Sequence, residues 1–154
     1  MSFYQILLFL HSWLRWAILL TALWVLIRSF RGWQMGLPFK KSDNGMQAAF
    51  VGMMHLQLVL GLLLYFVFSP FGLDAFAQGA KVVMKNAGLR YWAVEHATVM
   101  LLAVILAQVG RTKSKRARAH KQKFKHAFVF FLISLILMLS RIPWHESARL
   151  FRSF

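Results

Sequence analysis

Residues 3–27 read FYQILLFLHSWLRWAILLTALWVLI, twenty-five residues whose ionisable side chains are Tyr4, His11 and Arg15. A helix needs about 20 apolar residues to cross the hydrocarbon core of a bilayer. This stretch is long enough, and it lacks the short apolar run behind a basic start that marks a cleaved leader. Residues 46–69, 91–109 and 124–142 are apolar over similar lengths. The chain of 154 residues is 59% hydrophobic, too apolar for a soluble bundle of this size. The expectation is a single all-α domain over residues 1–154, an integral membrane antiparallel four-helix bundle.

Each span carries one histidine: His11, His55, His96 and His126. An ionisable group within a membrane is costly to keep and marks a functional site by default. Depth follows from the helical rise of about 1.5 Å per residue. His11 and His96 both fall about 6 Å to the outer side of the midplane, at matching depth on separate helices. His55 lies slightly inward of the middle, and His126 about 6 Å deeper still. Imidazoles facing each other between membrane helices suit axial ligation of haem iron. The expected cofactor is haem b, one or two per chain, with His11 and His96 as the first pair and His55 and His126 as the second. Met54 or Met100 is an alternative axial ligand. His120 and His145 lie outside the spans and read as solvated.

Arg15 lies one turn from His11 on the same helical face. A central arginine costs at least about 2.5 kcal/mol to insert, so it needs an anionic partner. The chain has only four acids, Asp43, Asp74, Glu95 and Glu146, and only Glu95 lies within an expected span. Arg15 is therefore expected to meet Glu95, a haem propionate, or a bound lipid or quinone headgroup. Arg90 and Arg141, at the outer ends of the third and fourth spans, are further propionate candidates. Gln57 and Tyr65 are polar groups on the second span, placed to bind a quinone, to tune an iron or to hydrogen-bond between helices.

The net charge of +15 follows topology rather than a nucleic-acid surface. Residues 110–125 read GRTKSKRARAHKQKFK, and Arg28, Arg31, Lys40 and Lys41 flank the first connection. The positive-inside rule puts these connections in the cytoplasm and both termini outside. No nucleic-acid partner is expected, and membrane lipid is. The run Ser42-Asp43-Asn44-Gly45 is expected to break the chain before the second span. Between spans two and three, Ala75, Phe76, Ala80, Val83 and Met84 recur at roughly helical spacing. They predict a short amphipathic helix, with an irregular loop as the alternative. The absence of cysteine excludes Fe–S clusters, disulfides and covalent haem attachment.

Several short motifs resemble one family. They are His-Ser-x-x-Arg-Trp at 11–16, His-x-Gln-Leu-x-x-Gly-x-x-Leu-Tyr at 55–65, the His96 segment, Lys-Phe-Lys at 123–125 and Ile-Pro-Trp at 142–144. Together they are similar to the small bacterial four-span membrane proteins labelled cytochrome b-like. The resemblance implies a multi-pass protein of the bacterial inner (cytoplasmic) membrane that binds haem, with His11, His55 and His96 as the matching histidines. The family pattern does not require a histidine at position 126, which leaves one haem and an unpaired His55 as an option. The function expected is transfer of single electrons within the bilayer, with quinone or a partner redox subunit, in a hetero- or homo-oligomer. This is an electron-transfer subunit rather than a complete enzyme. Two alternatives are a histidine-lined metal transporter and a haem-free accessory subunit of a membrane complex.

Overall fold

Ser2 opens the first helix. Its side chain accepts the Gln5 N–H at 3.3 Å, while Gln5 Oε1 accepts the Ser2 N–H at 2.9 Å, a reciprocal capping box. The computed structural model describes residues 2–152. Its helices are α1 (Phe3–Met35), α2 (Lys41–Leu63), α3 (Ala80–Lys85), α4 (Ala87–Arg116), α5 (His120–Ser140) and α6 (Ser147–Leu150). Four of them, α1, α2, α4 and α5, are long and apolar enough to cross a membrane, and among the described residues there is no strand. The chain is an all-α, multi-pass membrane bundle. α1 packs on α2 and α5, and α4 closes the ring against the same two helices. The start of α1 and α6 both lie at one end of the bundle. The positive-inside rule makes the opposite end, which carries the basic connections, the expected cytoplasmic end, and the two ends are called outer and cytoplasmic on that expectation.

The boundaries differ from the sequence reading at three places. α1 continues past residue 27 to Met35, and stops where Gly36 takes a left-handed conformation at φ +63°. At 1.5 Å per residue its length is about 50 Å, more than the hydrocarbon core needs. Its last turns therefore carry Arg28 and Arg31 beyond the apolar layer. The run 42–45 does not break the chain but lies inside α2. Asp43 makes this possible: its carboxylate accepts the Lys40 N–H at 2.8 Å and pairs with Arg28 at 2.7 Å. Residues 110–125 are nearly all helical too, because α4 runs to Arg116 and α5 begins at His120.

The two ends of the bundle are packed differently. At the cytoplasmic end, small residues let helices approach closely. Gly32 of α1 lies directly against the Phe124 ring, and a Cβ added to Gly110 of α4 would stand 2.5 Å from Phe130 Cβ. Ala107, Ala127, Ser29 and Ser114 are buried beside them. Midway, Phe50 and Phe131 pack with ring centroids 4.9 Å apart, and Ser134 Oγ donates to the Ala103 carbonyl at 2.8 Å. Toward the outer end the helices separate around a cavity.

The connection between α2 and α4 is helical in two pieces, a 3-10 stretch Leu73–Gln78 and then α3. Gly79, at φ +97°, breaks the register between them. Ala75 and Val83 therefore turn inward onto Ala93, whereas Ala80 and Met84 of the expected stripe are exposed. The single amphipathic helix of the sequence reading is corrected accordingly.

Ser114, within the basic stretch 110–125, is buried in α4 and unsuited to labelling, and Ser153 lies outside the described residues. Exposed Ala119 and Ser147 serve instead. A cysteine at Ala119 should label only from the cytoplasmic face and one at Ser147 only from the outer face. Labelling of both from one face would contradict a crossing by α5. A second test concerns Arg28, whose loss strands the Asp43 carboxylate, only 3% exposed. Arg28→Ala should destabilise the bundle by about 3–5 kcal/mol, reduced by the partial exposure of Arg28. Arg28→Ala/Asp43→Asn should recover much of it. A double variant no more stable than Arg28→Ala in detergent unfolding would show that the ion pair is not what holds this corner.

Candidate functional site

The outer-end cavity has a volume of about 400 Å³, within the range of roughly 300–1,000 Å³ usual for ligand pockets. α1 lines it with Tyr4, Leu8, His11, Arg15 and Ile18, one stripe at three- and four-residue spacing. α2 contributes Met54, Gln57, Leu58, Gly61 and Tyr65, and α4 contributes Trp92, His96 and Met100. The two histidines placed at matching depth thus come together on one cavity, from helices on opposite corners of the ring.

His96 is held in a defined orientation. Its Nδ1 lies 3.0 Å from the Arg141 carbonyl oxygen. A carbonyl only accepts, so Nδ1 carries the proton and Nε2 keeps the lone pair, the arrangement that suits a metal-ligating imidazole. The Arg141 carbonyl is available because α5 ends at Ser140, ahead of Pro143, and it also accepts the Tyr91 hydroxyl at 2.9 Å. His11 is committed to no partner: among the described residues its buried Nδ1 makes no hydrogen bond. Its ring lies against Gly61, where an added Cβ would stand 3.3 Å from His11 Cε1. A larger side chain there would push on the imidazole.

Two π-helical stretches border the cavity, Leu64–Phe68 at the end of α2 and Tyr91–His96 within α4. Such widened turns recur at functional sites. Tyr65 joins them by donating its hydroxyl to the Ala93 carbonyl at 2.9 Å. Gln57 Nε2 donates to the His11 carbonyl at 2.9 Å, and its Oε1 is buried without a partner.

The other histidines are not brought to this cavity. His55 is exposed on α2, with Nδ1 2.8 Å from the Val51 carbonyl one turn back. His126 is half-buried near the start of α5. Neither lines the cavity. His120 accepts the Phe39 N–H at 3.2 Å at the cytoplasmic end, and His145 lies 3.7 Å from Glu146.

The expected pairing of Arg15 with Glu95 is not formed. Arg15 donates to Ser12 Oγ at 3.2 Å, the Arg149 carbonyl at 3.2 Å and the Leu150 carbonyl at 2.8 Å. Glu95 is held instead by Arg90 at 2.9 Å and Arg141 at 3.3 Å, away from the cavity lining. What meets the Arg15 charge is a C-terminal segment folded back along α1. Trp16 Nε1 donates to Leu150 O and Trp13 Nε1 to Arg152 O, both at 2.9 Å. Trp16 also stacks on Phe151 with centroids 5.1 Å apart. This segment brings Arg149 onto the cavity, paired with Glu146 and 4.5 Å above the Trp92 ring. Sequence reasoning missed Arg149, since a tail beyond the last span has no periodicity to show where it folds.

Among the described residues, no three histidine, cysteine or acidic side chains converge on a common metal position. Comparison with protein-family models, curated proteins and solved structures found no match.

Arg15→Gln removes the charge from the hydrogen bonds that hold the C-terminal segment. Charge-assisted bonds contribute about 1.5–3 kcal/mol each. Hydrogen exchange over residues 145–152 should therefore accelerate, and Lys at this position should restore only part of the protection, lacking the forked geometry. Unchanged exchange in Arg15→Gln would mean that the bonds from Ser12, Trp13 and Trp16 hold the segment without Arg15.

Proposed function

We propose that the cavity holds b-type haem between His11 and His96, and that the chain passes single electrons within a membrane. The observation that carries this reading is the convergence of two imidazoles, from diagonally opposed helices, on one largely apolar cavity. A metal ion held by protein alone needs three or more ligands, whereas an iron already held by a macrocycle needs only two axial ones. The other lining residues suit a flat apolar group with acidic edges. Gly61 and Ala97 leave space, and Arg15 and Arg149, which meet at the Arg149 carbonyl, supply positive charge on the side of the C-terminal segment. A purely structural bundle would be expected to satisfy His11 Nδ1 and Gln57 Oε1, since unpaired polar atoms in hydrocarbon are costly.

Bound there, haem would supply a one-electron couple. The protein's part is positional and electrostatic. The Arg141 carbonyl fixes the His96 tautomer and raises its basicity as a donor. Gln57 steadies α1 at His11. Arg15 and Arg149 offset negative charge on the side of the C-terminal segment, and the apolar lining excludes water. Electrons would be exchanged with a quinone or a partner redox subunit, in a bacterial inner membrane. His55 faces away from this cavity, which favours one haem per chain over two.

Absorbance of the protein purified in mild detergent tests the reading. The expected spectrum is a Soret band that shifts on dithionite reduction. His11→Ala and His96→Ala should each abolish the low-spin bis-histidine form, while His55→Ala and His126→Ala should retain it. A colourless wild-type protein, or unchanged low-spin spectra in the first two variants, would refute the proposal.

A further inference from the structure

The cavity has two sides on which a ligand could arrive, and they differ in chemistry. On one side the C-terminal segment lies against it, bound along α1 from Ser12 to Trp16. Ser12, Arg15 and Trp16 donate to backbone carbonyls of that segment, so the latch holds whatever side chains the segment carries. On the side between α2 and α4, the hydrogen bond from the Tyr65 hydroxyl to the Ala93 carbonyl is the one side-chain hydrogen bond across the seam beside the cavity, among the described residues. The seam between α2 and α4 is the loosest of the four in the ring. Leu62 and Phe66 of α2 and Leu101 of α4 line the cavity, yet they are 43%, 58% and 45% exposed. Each therefore presents one side to the cavity and another to the hydrocarbon surface. All three are apolar. The charged side chains of the lining, Arg15 and Arg149, are both cationic; Arg15 bonds the C-terminal segment, and Arg149 of that segment lies over the Trp92 and Phe71 rings, away from Leu62 and Leu101.

We infer that the cavity is filled laterally from the bilayer, through the α2–α4 seam, by an amphiphile with an apolar body and an anionic end retained by Arg15. This rests on the haem reading and deepens it, since haem is such an amphiphile. The protein takes its cofactor from the membrane phase, with the C-terminal segment as a fixed cover rather than the entrance. An apolar body passing between Leu62 and Leu101, inward of the Tyr65–Ala93 bond, exchanges no hydrogen bonds, whereas entry past the cover would break the latch.

The chain has no cysteine, so single-cysteine variants are unambiguous. Leu101→Cys carrying a bulky maleimide adduct obstructs the seam, and Ser147→Cys with the same adduct loads the cover. Haem-free protein in vesicles is then given haem dissolved in the same vesicles, and uptake is followed at the Soret band. The seam adduct should slow uptake about tenfold, as expected when a route of encounter is narrowed. The cover adduct should leave uptake unchanged. The reverse pattern would overturn the proposal. A second measurement does not depend on haem: a nitroxide on Leu58→Cys, facing the cavity, is exposed to oxygen from the lipid and to a water-soluble nickel chelate. Relaxation by oxygen but not by the chelate supports lateral access, and equal relaxation by both overturns it. If wild-type protein takes up no haem at all, the haem reading fails, and the nitroxide result alone decides the route.

Discussion

Hydrocarbon offers no hydrogen bonds, so every polar group carried into it must find a partner within the chain. The outer half of this bundle is organised by that constraint. Arg15 and Trp16 draw the C-terminal segment back over α1, because its carbonyls are the acceptors within reach. Tyr91 and His96 converge on the carbonyl that α5 releases when it stops at Ser140. Tyr65 takes the Ala93 carbonyl, and Gln57 takes that of His11. Among the described residues five buried polar atoms lack a partner; three of them, His11 Nδ1, Gln57 Oε1 and Arg15 Nε, belong to side chains that line one cavity, and the other two are Ser114 Oγ and Arg141 Nε.

The taper of the bundle follows from side-chain size. Gly32 and Gly110 let α5 close on α1 and α4 at the cytoplasmic end, where the Phe124 and Phe130 side chains lie directly against the two glycines. At the outer end Tyr4, Tyr65, Trp92 and the two histidines hold the helices apart, and the π-helical stretches on α2 and α4 widen the frame further. A tight inner end gives rigidity to an open outer end. Rigid positioning of two imidazoles is what axial ligation would require, because a ligand shell left loose loses geometry before it loses stability.

The four spans were legible because a run of apolar residues sufficient to cross a bilayer has few other uses. The shared depth of His11 and His96 was legible because the helical rise is constant. Their convergence on a cavity follows from that depth together with the ring order of the helices, which sequence does not give. The start of α2 was misplaced because its N-terminal turn depends on Asp43 meeting Arg28 across a turn, a contact with no local signal. Glu95, one of the three partners expected for Arg15, is not met for a related reason. Counting acids found Glu95, but the charge is met by backbone carbonyls, which every residue carries and no composition reveals. Arg149 was invisible on the same grounds.

The central claim is that His11 and His96 hold a single iron. Near-infrared magnetic circular dichroism of the oxidised protein, with haem and protein quantified on the same sample, tests it most directly. The account predicts one low-spin iron per chain, with the charge-transfer band of two neutral imidazole ligands. A high-spin or methionine-ligated signature, or two equivalent low-spin irons per chain, would contradict it.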